Sequence, residues 1–329
     1  GDAKGAQAFY RQASLASDFH GFLAADKLQQ PYALCPWTPR VTAMDKAVVA
    51  RDHSLIRALQ LFALDRKGWA VREWNDALSR FDDAQRRLAV EVAQDNGWFD
   101  RGVFGLVNVG GQRYPDETRL YQLRFPLHHD ASIRREAARN NLDPAWIAAE
   151  IRAESVFDPK ARSSADARGL MQVLPGTGAS VASKIGVPWN GGDSLYDADT
   201  NIVLGSAYLR QLMDKYGGKP YQVIAGYNAG PAPLNRWVSQ RPTMDPDFWI
   251  ETISYKETRD YVARVLAFST VYDWRLNGDA VRLSDRLLGS NGGSRKTFTC
   301  ATPEAKMGAA RPATTQRSDK PKRDSRRRH

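Results

Sequence analysis

Apolar residues recur at spacings of three and four along most of the chain, and nowhere do they alternate over the length of a strand. That pattern confines the fold to packed helices. In "HSLIRALQLFALDRKGWAVREWNDALSRF" (53–81) Leu55, Leu59, Phe62, Ala63, Trp69, Val71 and Trp74 follow it, and Gly68 is expected to break one helix from the next. "DDAQRRLAVEVAQDNGWFDRGVFGLV" continues with Leu88, Val92 and Ala93, a turn at Asn96–Gly97 and a further helix. The succession up to about residue 130 suggests an α-superhelix without a strict repeat period. Beyond it the punctuation sharpens. Asp143 is placed to cap a helix with Pro144 at its first position, and Pro175 opens another that Gly186 stops. "DADTNIVLGSAYLRQLMDKYGG", "PYQVIAGYNAGP" and "KETRDYVARVLAFSTVYDWRLNG" follow as helices with termini suited to the macrodipole or bounded by proline and glycine. Strand character is confined to short pieces between Gly169 and Leu174. The expected class is all-α.

At 329 residues there is room for about two domains. Hydrophobic residues at 42% and charged residues at 26% are the balance of a soluble globular protein, without an apolar run of about 20 residues that could span a membrane. The opening "GDAKGAQAFYRQAS" reads as helix, not as a signal peptide, so the chain is expected to be a mature or truncated fragment. The net charge of +10 raises nucleic acid as a partner, but its location argues against that. From Ser290 to His329 there are 11 Lys and Arg against 3 Asp and Glu, which leaves the body nearly neutral. This tail has few large apolar residues and is expected to be disordered, with at most weak attraction to an anionic surface. Cys35 and Cys300 fit either a disulfide in an exported protein or two free thiols. No histidine has metal-site spacing, and the pair His128–His129 is expected in a solvated loop.

One stretch, "AEIRAESVFDP" (149–159), asks for a chemical explanation. Ile147 and Ile151 mark an apolar face whose next step is Glu154 and Ser155. Desolvation and the negative end of a helix dipole both raise the pKa of a carboxyl in that place, as a general acid near neutral pH requires. A glutamate paired with Arg152 or Lys160 fits the same position, and the helix alone leaves both readings open.

The surrounding motifs narrow the choice. "FDPKARSSADARGLMQVLP" follows the Glu–Ser pair, then "AGYNAGP" (225–231) and "ETISYKETRDYV" (251–262). Together, in this order, they resemble the soluble, Slt-type lytic transglycosylases of family 1. The resemblance covers roughly residues 131–285 and implies a goose-lysozyme-like catalytic domain acting on bacterial peptidoglycan. It further implies that 1–35 ends the family's α-superhelix, that 36–130 is a helical linker domain and that 286–329 is the disordered basic tail. By motif position Glu154 is the implied catalytic acid and base. Ser155, Ser163, Gln172, Tyr227, Asn228 and Glu251 are the implied substrate contacts, and Leu174 stands where close relatives have Met.

Ordinary glycosidases use two carboxylates. Asp158, before Pro159, suits a turn, and Asp166 suits a solvated loop, so neither is an obvious second acid. What the resemblance implies is a reaction that needs one. Glu154 protonates the bond between N-acetylmuramic acid and N-acetylglucosamine and then takes the proton of the muramyl C6 hydroxyl as it attacks C1, leaving a 1,6-anhydromuramyl end. No metal, nucleotide or redox cofactor is required. A lysozyme-type hydrolase of the same fold and a non-catalytic peptidoglycan-binding scaffold are the alternatives. Glycan strands are the expected partner, and the bacterial periplasm the expected location.

Overall fold

A computed structural model describes residues 2–104, 108–109, 112–113, 119–290 and 292–300. The fold is all-α. Helices α1 (Ala3–Ala13) and α2 (Phe19–Lys27) lead into α3 (Ala43–Val49), α4 (His53–Ala63), α5 (Lys67–Arg80), α6 (Asp83–Asp95), α7 (Asp100–Phe104) and α8 (Tyr121–Arg124). There follow α9 (Asp130–Asn140), α10 (Pro144–Glu154), α11 (Pro175–Ile185), α12 (Ala198–Lys215) and α13 (Pro220–Ala229). Then come α14 (Pro231–Gln240), α15 (Pro246–Glu251), α16 (Lys256–Asn277) and α17 (Leu283–Leu287). The caps fall where the sequence puts them. Asp143 accepts from Ala145 N at 2.8 Å, Asp197 from Thr200 N at 2.8 Å, and Gly186 closes α11 at φ 72°.

Gly68 does not break a helix. It lies in the first turn of α5, and the break falls at Leu64–Arg66, where Asp65 itself takes the left-handed conformation (φ 56°). A short polar side chain tolerates that region better than most, so glycine was not needed there.

Two apolar cores form among the described residues. One is built on α3–α6 and the turn that follows them and includes Leu55, Trp74, Leu88 and Trp98. The other surrounds α10 and α16. Residues 19–34 join this second core through Phe19, Phe22, Tyr32 and Leu34, with α2 packed on α16 and α17. Helix α10 is its axis. All eight residues from Ala145 to Arg152 are buried, so a one-faced amphipathic reading of this helix is replaced by a helix enclosed between α9 and α16.

The expected disorder from 286 onward is also corrected, as far as residue 300. Arg295–Lys296 pairs antiparallel with Ala280–Val281, and Phe298–Thr299 pairs in parallel with Tyr32–Ala33. Phe298 packs on Tyr32 and Trp274 (5.5 and 5.9 Å between ring centroids), and Arg295 bonds Asp273 at 2.8 Å. A few anchors suffice to order a segment whose average composition is polar. Cys35 and Cys300 form a disulfide (Cα–Cα 4.4 Å), which settles the open question of their state. Residues 301–329, the rest of the expected tail, lie outside the described residues. His128 is exposed as expected, although its ring also meets Phe99 at 5.1 Å.

Candidate active site

Glu154 is the last residue of α10, partly exposed where the buried helix surfaces. Neither Arg152 nor Lys160 pairs with it. Arg152 is buried, donates from Nε to Arg124 O at 2.8 Å and lies over Phe268 and Phe125 (4.7 and 5.2 Å). The partner of Glu154 is instead Tyr261 of α16, whose Oη lies 2.5 Å from Glu154 Oε1. Burial pushes the Glu154 carboxyl up to about 7, against the pull of the Tyr261 hydrogen bond and the Arg264 charge and with the help of Glu257. A carboxyl so placed keeps a proton into the neutral range and can both give and take one.

The same phenol also contacts Glu150 Oε2, one helical turn earlier. Glu150 is fully buried and accepts from Trp146 Nε1 at 2.9 Å. Burial first, and the charge of Glu154 second among the raising influences, push its carboxyl up to about 8. Sequence reasoning missed both Glu150 and Tyr261. Tyr261 stands inside the motif "ETISYKETRDYV", and Glu150 precedes Glu154 by four residues, the spacing that puts two side chains on one helix face.

After Glu154 the backbone turns sharply. Val156 and Phe157 both have positive φ (54° and 61°), an unfavourable conformation for a β-branched and a bulky residue. Phe157 is fully buried, so the surrounding core holds this strained turn in place. Ser155 is buried and its hydroxyl donates to Ile151 O at 3.1 Å. Asp158 serves the turn, as expected, accepting from Lys160 N at 2.9 Å, and it also pairs with Lys67 of α5. A cavity of about 230 Å³ opens between this turn and helices α4 and α5, lined by Ser155, Val156, Asp158, Phe62 and Lys67.

Residues 161–173 form a compact loop. Ser163 Oγ accepts from Ala167 N at 3.0 Å, and Gln172 Nε2 donates to Ala161 O and Gly169 O at 3.0 and 2.9 Å. Both side chains therefore brace the loop. Asp166 binds Arg162 (2.6 Å) and Arg168 (2.9 Å) at its rim. From α12, the fully buried Asn201 accepts from Met171 N and donates to the carbonyls of Arg168 and Leu195, each at 2.8 Å. Tyr227 joins the loop to the carboxyls: its Oη donates to Met171 O at 2.6 Å, and the charges of Glu154 and Glu150 help hold its phenol well above the usual range, after burial. Asn228 ties α13 to α16 by accepting from Thr258 Oγ1 at 2.7 Å. Glu251 stands apart from this group. It closes α15, is half exposed and pairs with His20 Nε2 of α2 at 2.8 Å. Leu174 is 45% exposed at the start of α11.

A raised carboxyl thus ends a buried helix, is bonded to a buried tyrosine that the motifs did not single out, and is followed by a braced loop. The model of the transglycosylase SLT domain matches residues 131–250, and that of the soluble lytic murein transglycosylase L domain matches 48–110. The chain resembles the soluble lytic transglycosylases. A third model, of the soluble lytic transglycosylase helical domain, matches 252–280. That match falls on α16. The soluble lytic murein transglycosylase of Escherichia coli K12 is 27% identical over 264 residues, 77% of this chain and 38% of that protein. Among solved structures, an inactive glutamate-to-glutamine mutant of lytic transglycosylase Slt from Pseudomonas aeruginosa is 34% identical, with a TM-score of 0.74, over 86% of this chain and 45% of that one. The 70 kDa soluble lytic transglycosylase of Escherichia coli shares the fold (24% identity, TM-score 0.71, 82% of this chain and 43% of that one). The chain spans about two fifths of the length of the curated relatives it matches.

Proposed function

We propose that this chain is a peptidoglycan lytic transglycosylase that cleaves the β-1,4 bond between N-acetylmuramic acid and N-acetylglucosamine and leaves a 1,6-anhydromuramyl end. The observation that carries this reading is the place of Glu154: partly exposed at the end of a buried helix and held by Tyr261, where burial pushes its carboxyl up to about 7. Glu154 gives its proton to the glycosidic oxygen as the bond to C1 breaks. The carboxylate left behind takes the proton of the C6 hydroxyl as O6 attacks C1, and Glu154 returns to its starting form. An attacking group already within the substrate has a large proximity advantage over water. Glu150 does not compete as a nucleophile or base for the sugar, because it lies fully buried on the far side of Tyr261.

Tyr227, Asn228, Ser155, Ser163, Gln172 and Glu251 are proposed to line or shape the glycan site. The hydrogen bonds of Ser163 and Gln172 support a loop-shaping role, and the pairing of Glu251 with His20 supports an outer position for it. The relatives are named for murein, and one of them is inactive as a glutamate-to-glutamine mutant. The Cys35–Cys300 disulfide suits an oxidising compartment, which supports the bacterial periplasm as the location. No cofactor enters this scheme.

A hydrolytic reading has one observation in its favour. Glu257 is exposed at the start of α16 and its charge bears on Glu154, so it is placed to serve an attacking water. Mass spectrometry of the soluble products from purified peptidoglycan separates the two. Muropeptides one water lighter than reducing ones, absent with Glu154→Gln, are expected. Reducing products that disappear with Glu257→Gln would replace transglycosylation by hydrolysis, and intact binding without products would leave a scaffold.

A further inference from the structure

Tyr261 Oη is within hydrogen-bonding distance of two carboxyls at once, Glu154 Oε1 and Glu150 Oε2. A phenol has a single proton to donate. Both contacts are hydrogen bonds only when one carboxyl carries its own proton and donates it to the phenol oxygen. The three groups then share two protons and carry one negative charge. The burial of Glu150 favours this count over the doubly ionised one: it has no exposure to water, and its two hydrogen-bonding partners, Trp146 Nε1 and Tyr261 Oη, are uncharged. Two ionised carboxylates bridged by one phenol would lack a donor for one of the contacts.

We propose that Glu150 is a positioning residue for the reaction of Glu154, coupled to it through Tyr261 so that the two carboxyls keep one proton between them at neutral pH. In one arrangement Glu154 donates to the Tyr261 oxygen and Tyr261 donates to the Glu150 carboxylate. In the other, Glu150 donates to Tyr261 and Tyr261 to the Glu154 carboxylate. Passing from one to the other moves each of the two protons one step along the chain, with no change in total charge. The negative charge on Glu150 in the first arrangement opposes ionisation of Glu154 and so preserves its acid form. It also strengthens the Glu154 carboxylate as a base once the acid has been spent. The Glu154 charge, after burial, is among the causes that raise the Glu150 carboxyl, in agreement with such a coupling.

The other groups facing the pair are few. Helix α16 presents Tyr261, Arg264 and Glu257, and α13 presents Tyr227. Arg264 lies over the Tyr261 ring at 5.7 Å and draws Glu154 down, while Glu257 pushes it up. Helix α9, packed against α10, adds no charge among those that bear on either carboxyl.

The role in catalysis rests on the transglycosylase reading, but the proton coupling can be measured without it. Glu150→Gln keeps the shape of the side chain, an acceptor for Trp146 and a donor to Tyr261, and removes the second site for the proton. The alkaline limb of the kcat–pH profile is expected to move to lower pH by about one unit or more, the scale at which interacting carboxyls titrate as a pair. In carbon-13 NMR of Glu-labelled protein, Glu154 and Glu150 should titrate together in two steps, and Glu154 in the variant in one step at lower pH. An unmoved alkaline limb, or a loss of kcat equal at every pH, would make Glu150 a structural residue. Independent single-step titrations in the unmodified protein would overturn the coupling whether or not peptidoglycan is cleaved. If the coupling is found and anhydro products are not, the proton pair stands and the functional reading falls.

Discussion

Glu154 and Glu150 give stability a pH dependence opposite to that of a salt-bridged carboxylate. An ordinary glutamate titrates near 4.5, and folding moves these two up to about 7 and about 8. Between those limits the folded protein holds protons that the unfolded chain has lost. Stability therefore falls as pH rises from about 4.5 to about 8, and levels off above. Glu154→Gln cannot ionise and escapes part of this loss. It is expected to unfold at a higher temperature than the unmodified protein at pH 8.5, by about 1–3 kcal/mol of stability, with the advantage shrinking toward pH 5. Thermal unfolding at the two pH values checks this, and an equal effect at both would contradict a raised carboxyl. The same site separates what a sequence makes readable at this scale from what it hides. Glu154 stood out because it interrupts an apolar face. Glu150 did not, because a helix buried on every side gives no polar face to which a glutamate can be referred, and only packing against α16 brings Tyr261 between the two.

The loop of residues 161–173 depends on groups far from it in sequence. The "GLMQ" motif was readable as a motif, but its support was not, because Asn201 reaches it from thirty residues downstream of Met171. Asn201→Ala would leave a backbone N–H and two carbonyls without that partner inside the core. A loss of at least about 3 kcal/mol is expected in denaturant unfolding, since each buried unsatisfied group costs about 1–3 kcal/mol. Gly169 has a second reason to be there. Its φ is +75°, and a Cβ would lie 2.1 Å from Leu195 O and 2.3 Å from Asn201 Nδ2. Gly169→Ala therefore meets both a left-handed backbone, at about 1–2 kcal/mol, and a clash with a backbone oxygen. It should lower the proposed peptidoglycan cleavage along with stability, because Met171 O is the acceptor for Tyr227. The pair between Lys67 and Asp158 is different in kind. Both side chains are partly exposed, and Lys67→Ala should change stability by less than about 1 kcal/mol. Helix limits were readable where a cap or proline sets them, as at Asp143 and Pro175. They were not where the chain turned on Asp65 in place of the expected glycine.

Across the whole molecule, the segment after α17 returns to the N-terminal region and closes the core around α10 and α16. The closing strands are only two residues long, and beside them the backbone bonds run from Tyr32 N to Thr297 O (3.0 Å) and from Leu34 N to Thr299 O (3.1 Å). So few bonds would leave the segment prone to fraying. It is retained by Phe298 packed against the core, by Arg295 on Asp273 and by the disulfide. Asp273 also binds the buried Arg286, which in turn reaches Asp143 at the head of α10, so the closing segment and the helix that carries Glu154 meet in one ion network. Composition hid this closure, and spacing could not pair two cysteines 265 residues apart. Replacing both with serine frees a very long loop in the unfolded chain, and a loss of about 2–5 kcal/mol is expected. Neither half-cystine bonds to Glu154, Tyr261 or the loop of 161–173 among the described residues. The double serine variant should therefore unfold at a lower temperature yet carry out the proposed peptidoglycan cleavage at an undiminished rate well below that temperature. A large loss of kcat in the cold, with the fold intact by circular dichroism, would mean instead that the closing segment acts on the site through Asp273, Arg286 and Asp143. Restoring the disulfide would then have to restore the rate.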